Sequence, residues 1–207
     1  MGAKTGIEGG DSVNDKTELK PLRRTLPVFP PTSYIDEDGE EGRPGFLGDC
    51  SRSPLYVTDG HILLLAAAID PAIVFERNDA NWVKRYATER EIGRMWKRAG
   101  KRSDVKADFI GVHAYGDPCQ TELAFLRDAL GRVIIFDAHM LAFGVSAVHP
   151  NALTIDATPN EKRWSNSPLA MRRAGELVGL LMPMSVSADE FQRYDLHGEP
   201  VELAVTV

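Results

Sequence analysis

Cysteine is scarce: Cys50 and Cys119 are the only two in the chain. A disulfide framework and a four-cysteine zinc site are therefore excluded, and a reducing compartment is the default expectation. Long apolar runs are also missing. The longest, Ile62 to Ile69, holds eight residues, against the ~18 that a spanning helix needs. The polar, Gly-rich N-terminus has no leader-like apolar region, so a cytoplasmic location is expected. Positive charge is in deficit, with 24 Lys and Arg against 30 Asp and Glu and a net charge of −6. That argues against a uniformly basic nucleic-acid binder. Metal-ligand spacing, a nucleophile elbow and a phosphate-binding glycine loop are absent. His61 and His139 each follow an aspartate by two residues, with no further ligand spaced to join them. Neither metal nor cofactor is expected, and no catalytic residue stands out.

What is present suffices for one ordinary domain: 207 residues, 43% of them hydrophobic, can build a packed core. The spacing predicts an α+β fold, an antiparallel sheet backed by helices. Leu55–Leu65 reads as strand, Asp-Gly turn and strand. Residues 88–102 read as a helix opened by a capping box, Thr88 with Glu91. Its apolar face is Ile92, Met95, Trp96 and Ala99. Asp117 to Leu130 reads as a second helix, from its leucine spacing and from Pro118 and Gly131 at its ends. Val133–Phe136 is a strand, and Asp137 caps a helix that runs to Val148. Strands are expected at Ala152–Asp156, Ser167–Met171, Leu177–Met182 and Val201–Val207, and a short one around Leu26–Phe29.

Charge is unevenly distributed. Residues 82–106 hold nine Lys or Arg and three Asp or Glu, a local +6, so the remainder carries −6 − 6 = −12. The basic helix has two readings. Its cations Arg90, Arg94, Lys97, Arg98 and Lys101 either cover a solvated face over a core-facing Trp96, or touch nucleic-acid phosphates or an acidic surface without reading bases. The acidic strip Asp36, Glu37, Asp38, Glu40 and Glu41 is either a solvated loop or a mimic of a phosphate backbone.

Two patches carry a family resemblance. Thr58-Asp59-Gly60-His61-Ile62-Leu63 resembles the Thr-Asp-Gly-His-Arg-Leu segment of bacterial β sliding clamps, the processivity factors of DNA polymerase III. Met182-Pro183-Met184, after Val178-Gly179-Leu180-Leu181, resembles the Met-Pro-Met that ends those clamps. Between the patches the elements expected from residue 133 onward are one strand, one helix and three strands, the order of a clamp half-domain. The resemblance implies a pocket for short apolar partner peptides, with Thr58, Gly60, His61 and Leu63 on one wall and Leu180, Met182, Pro183 and Met184 on the other. Composition, rich in Gly, Pro and acids and poor in apolar residues, predicts a flexible acidic segment over 1–44. The resemblance implies a clamp-like domain over 45–184 with a helical insertion at 66–131, and a C-terminal extension over 185–207. A DNA-encircling ring needs several such domains, so oligomerisation would be required for processivity.

The leading expectation is a non-enzymatic protein-interaction module. It would act on replication, repair or other DNA-handling proteins, or compete with a host clamp for them, as an accessory factor of a phage or mobile element does. The alternatives are an acidic DNA-mimic inhibitor of a host nucleic-acid-handling or defence complex, and an oligomeric processivity factor. DNA contact, where it occurs, is expected to be weak and non-specific, and no membrane contact is expected.

Overall fold

The structure, a computed structural model, describes residues 19–26, 34–35, 41–42, 45–47, 56–58, 60–73, 89–101, 104–115, 121–156, 168–185, 192–201 and 203. Its strands are β1 (Tyr34–Ile35), β2 (Glu41–Gly42), β3 (Gly45–Leu47), β4 (Tyr56–Thr58), β5 (Ile62–Leu65), β6 (Asp104–Tyr115), β7 (Thr121–Asp128), β8 (Val133–Asp137), β9 (Ala152–Asp156), β10 (Leu169–Arg173) and β11 (Glu176–Leu181). Its helices are α1 (Glu89–Gly100) and α2 (Ala138–Val148). β1 and β2 pair with each other, and the other nine strands form one sheet in the order β3-β4-β5-β11-β10-β9-β6-β7-β8. Every pairing is antiparallel. The fold is therefore α+β, a sheet backed by helices, as the periodicity predicts.

α2 is the centre of the molecule. Its sequence is apolar nearly all round, which suits a helix enclosed on every side. Nine of its eleven residues are buried. Seven of these join Ile62, Leu64, Phe109, Leu126, Phe136, Leu153, Met171 and Val178 in one core. Its ends are set locally. The Asp137 carboxylate accepts the Met140 N–H at 2.8 Å. At the other end His149 adopts a left-handed φ of 43° and returns its N–H to Val145 O, and Pro150 prevents continuation.

The outer face of the sheet is covered in two places. At one end Tyr56, Leu63, Ala170, Leu177 and Leu180 are buried with Ile92 and Ala99 of α1, and Trp96 packs against them. Arg172 of β10 donates to Ala99 O at 3.0 Å, a cation placed on the negative end of the helix. At the other end Ile110, Leu123, Phe125 and Ile135 are covered by Tyr194, Leu22, Met184 and Leu196.

β6 belongs to both halves. Residues 104–106 pair with β9, and residues 107–115 pair with β7 across a bulge between Phe109 and Gly111. The bulge frees two carbonyls from the ladder. Phe109 O accepts Val201 N at 2.9 Å, and Ile110 O accepts from Arg24 at 3.0 Å. Gly111 has a steric reason: a Cβ there would lie 2.5 Å from Leu22 Cβ and 2.9 Å from Arg23 O, where the N-terminal segment crosses the strand.

Four expectations are corrected. Asp117–Leu130 is not a helix, because its described part from Thr121 is β7, buried on both faces. Residues 66–131 are not a helical insertion, since β6 and β7 are members of the main sheet. Residues 19–26, inside the stretch expected to be flexible, are fastened to the core by the Arg23–Val112 backbone pair, 2.8 Å each way. The tail forms no strand at Val201 or Leu203, where side chains pack on the inner core instead. Residues 27–29 of the short strand expected near Leu26, and both cysteines, lie outside the described residues.

Candidate partner-binding site

The β4–β5 turn is closed by one hydroxyl. Thr58 Oγ1 donates to Ile62 O at 2.6 Å and accepts Gly60 N at 3.0 Å. Gly60 takes φ 102°, a conformation that a side chain would strain. The turn leaves Gly60 and His61 exposed and turns Leu63 inward.

β11 lies directly against β5, with Leu180 opposite Leu63 and Leu181 opposite Ile62. Beyond the ladder the chain keeps the same course: Met182 N donates to His61 O at 2.8 Å. Two rungs on, Met184 N donates to Ile135 O at 2.9 Å. The sheet has therefore curled around α2 until its β8 edge reaches the end of β11. Met182-Pro183-Met184 closes the seam, covering an edge that would otherwise present free backbone groups.

The eight residues of the expected pocket are thus neighbours, but they do not form two open walls. Leu63 and Leu180 are buried under α1, at 4% and 2% exposure. Thr58 is buried in its turn, and Met184 packs on the outer core beside Tyr194. The accessible part is the rim: Gly60, His61, a half-buried Pro183, and Met182 at 37% exposure.

A polar cluster at the same seam was not identified from sequence. Glu122 accepts Arg23 at 2.9 Å and lies 3.6 Å from His139 Nε2. Burial pushes the Asp137 carboxyl above its usual range, against the downward pull of the Met140 N–H and of the imidazoles of His139 and His61. The available signal is the similarity of Thr58-Asp59-Gly60-His61 to Phe136-Asp137-Ala138-His139. Both histidines in fact act on Asp137. Among the described residues no three His, Cys, Asp or Glu are grouped to hold a metal.

A pH-dependent prediction follows from Asp137. A carboxyl whose folded pKa lies above its unfolded one binds its proton more tightly in the native state. Ionisation therefore draws stability down as pH rises through that interval. Asp137→Asn keeps an equivalent N-cap and removes the buried charge. It is expected to exceed the parent in stability at neutral pH, with the gain vanishing below the ordinary aspartate value of 3.8. Asp137→Ala loses the cap as well and should fall below Asp137→Asn by about 1 kcal/mol. Urea unfolding of the three proteins at acid and neutral pH checks both statements.

The five cations of the basic helix are all exposed, as both of its readings require. Ile92 and Ala99 are buried and Trp96 is half-buried against Tyr56, with ring centroids 5.0 Å apart. Met95, expected on the apolar face, is instead 42% exposed, because it lies at the margin of the helix surface that meets the sheet. Of the acidic strip, Glu41 falls in β2 and residues 36–40 lie outside the described residues. No family model, no curated protein and no solved structure matches this chain.

Proposed function

We propose that the chain is a non-enzymatic protein-interaction module that receives an apolar partner segment at the seam between the β4–β5 turn and Met182-Pro183-Met184. The observation that carries this reading is the hydrogen bond from Met182 N to His61 O. It joins two segments far apart in sequence and leaves a large apolar side chain 37% exposed between them. Methionine adapts to varied apolar partners. The exposed Gly60 leaves backbone approachable beside it, and the polar groups around Asp137 and Glu122 form a rim that can orient a peptide. The partner class, replication or repair proteins, rests on the resemblance to sliding clamps. The succession β8, α2, β9, β10, β11 supports it as one strand, one helix and three strands.

The contact is shallow, because Leu63 and Leu180 are already occupied by α1. Calorimetric titration with a short apolar peptide of the clamp-binding type tests the reading. Binding is expected, and His61→Ala with Met182→Ala should weaken it by about tenfold or more, the size of a hot-spot loss. No binding, or binding indifferent to both substitutions, sinks the assignment. The competing reading, inhibition by the acidic strip, makes the opposite forecast. Its activity would fall steeply with salt and would survive the loss of His61 and Met182.

A further inference from the structure

We infer that α1 is a docking face for the phosphate backbone of duplex nucleic acid, bound without regard to sequence and separate from the seam. At 3.6 residues per turn, Arg90, Arg94, Lys97 and Lys101 fall within roughly 60° of one another, with Arg98 beside them. Ile92, Trp96 and Ala99 lie on the opposite side of the helix by the same geometry, and they are the residues that meet the sheet. The stripe therefore points away from the protein, and all five cations are exposed.

From Arg90 to Lys101 the stripe measures about 16 Å at 1.5 Å per residue. Each strand of a duplex carries a phosphate about every 3.4 Å of the duplex axis, about five over that length. Phosphates are therefore not limiting, and the four cations can neutralise up to about four of them. The stripe is also held in shape. The apolar side is seated on Tyr56, Leu63 and Leu180, and Arg172 ties the C-terminal carbonyl of Ala99. A seated helix loses less backbone freedom on binding than a mobile one. The duplex is favoured over a single strand by the position of Trp96. Its ring is engaged with Tyr56 on the protein side of the helix, so among the described residues the exposed side of α1 offers no aromatic platform for unstacked bases. The remainder of the chain carries −12 by subtraction, −6 − 6, from the net charge and the +6 of residues 82–106. That repulsion confines contact to this one face and makes it weak at physiological salt.

Fluorescence anisotropy of the full chain with two labelled duplexes of unrelated sequence tests the inference. Both should bind alike at low salt. With four phosphates neutralised, log affinity should fall by about 3.6 per tenfold rise in salt, or roughly 150-fold between about 50 and about 200 mM. Arg94→Glu with Lys97→Glu should weaken binding by about tenfold or more at low salt, with an unchanged circular-dichroism spectrum. No anisotropy change at low salt, or full binding by that variant, overturns the proposal. So does tighter binding of a single strand with the same label, which would put bases rather than a duplex backbone on the helix. Preferential binding of polyglutamate over duplex would overturn it too, assigning the stripe to acidic protein surfaces.

Discussion

Arg132→Ala is expected to lower stability by about 3–5 kcal/mol, the range for stripping the partner from a buried charge. In a chain of this size that is a fall in Tm of roughly 6–20 °C. The Asp128 side chain has no exposed surface. Its Oδ1 accepts Leu130 N and Arg132 N, each at 2.9 Å. Its Oδ2 accepts Arg132 Nε at 2.6 Å and lies 2.5 Å from Nη2. Without the guanidinium the carboxylate keeps its backbone donors but loses its only counter-charge in this set. Its charge cannot be screened by water as a surface pair's is. The control is Asp128→Asn added to Arg132→Ala. It removes the uncompensated charge and should recover part of the loss, so the double variant should be more stable than Arg132→Ala alone. Urea melts of the parent, the two single variants and the double variant close the cycle. An Arg132→Ala loss below about 1 kcal/mol would class the pair with ordinary surface bridges.

The same hairpin explains why the fold was only partly legible. Leu123, Leu126 and Leu130 are spaced as one face of a helix. Yet Leu123 and Phe125 enter the outer core, while Ala124 and Leu126 enter the inner one. A strand buried on both faces reads as a nearly continuous apolar run, and both periods then fit it. Asp128 and Gly131 suit a hairpin turn as well as a helix end, so the boundary residues did not decide between them. β6 was missed for another reason. Its alternation is interrupted by the bulge at Phe109–Gly111, and its first half carries the ion-paired Lys106 and Asp108, 2.8 Å apart. By contrast α2 and the β10–β11 hairpin were legible because local chemistry fixes their ends, and α1 was legible from its amphipathic spacing, the Thr88 of its expected capping box lying outside the described residues. Asp137 caps, Pro150 stops, and Ala174 and Gly175 both turn with positive φ.

The site divides along the same line. The juxtaposition of Thr58–Leu63 with Leu180–Met184 was legible through two short motifs, and the β5–β11 ladder brings them together. Coverage of Leu63 and Leu180 by α1 was not. Amphipathic spacing states that Ile92, Trp96 and Ala99 seek an apolar surface; it does not state which one. That choice is made by tertiary contact, where the outer face of β4, β5, β10 and β11 supplies Tyr56, Leu63, Ala170, Leu177 and Leu180. Likewise, the Asp137 environment depends on burial and on His61 from the β4–β5 turn, and the adjacent His139 lies 3.6 Å from Glu122 of β7, contacts that tertiary packing sets.

Ile92→Ala combined with Trp96→Ala should cost about 3–5 kcal/mol in the seating of α1, with most of it from the buried isoleucine and less from the half-exposed indole. The consequence should be local. α2 and the inner core do not depend on these two side chains, so the main unfolding transition should survive. α1 should not. It has twelve residues, among them Gly93, and helices of about 12–15 residues are marginal in water without tertiary support. Once unseated it should melt, exposing Tyr56, Leu63 and Leu180. The expected readings are a reduced helical circular-dichroism signal, increased binding of an apolar dye, and a sharp loss of duplex affinity. The last of these is informative because all five cations remain in the chain: only their alignment has been lost. At the seam the effect should run the other way, since uncovering Leu63 and Leu180 adds apolar surface next to Met182 and should strengthen binding of an apolar peptide. A variant that loses α1 but binds duplex as the parent does would show that charge alone, rather than an ordered stripe, holds the nucleic acid. Unchanged peptide affinity would confine that contact to the exposed rim of His61, Met182 and Pro183.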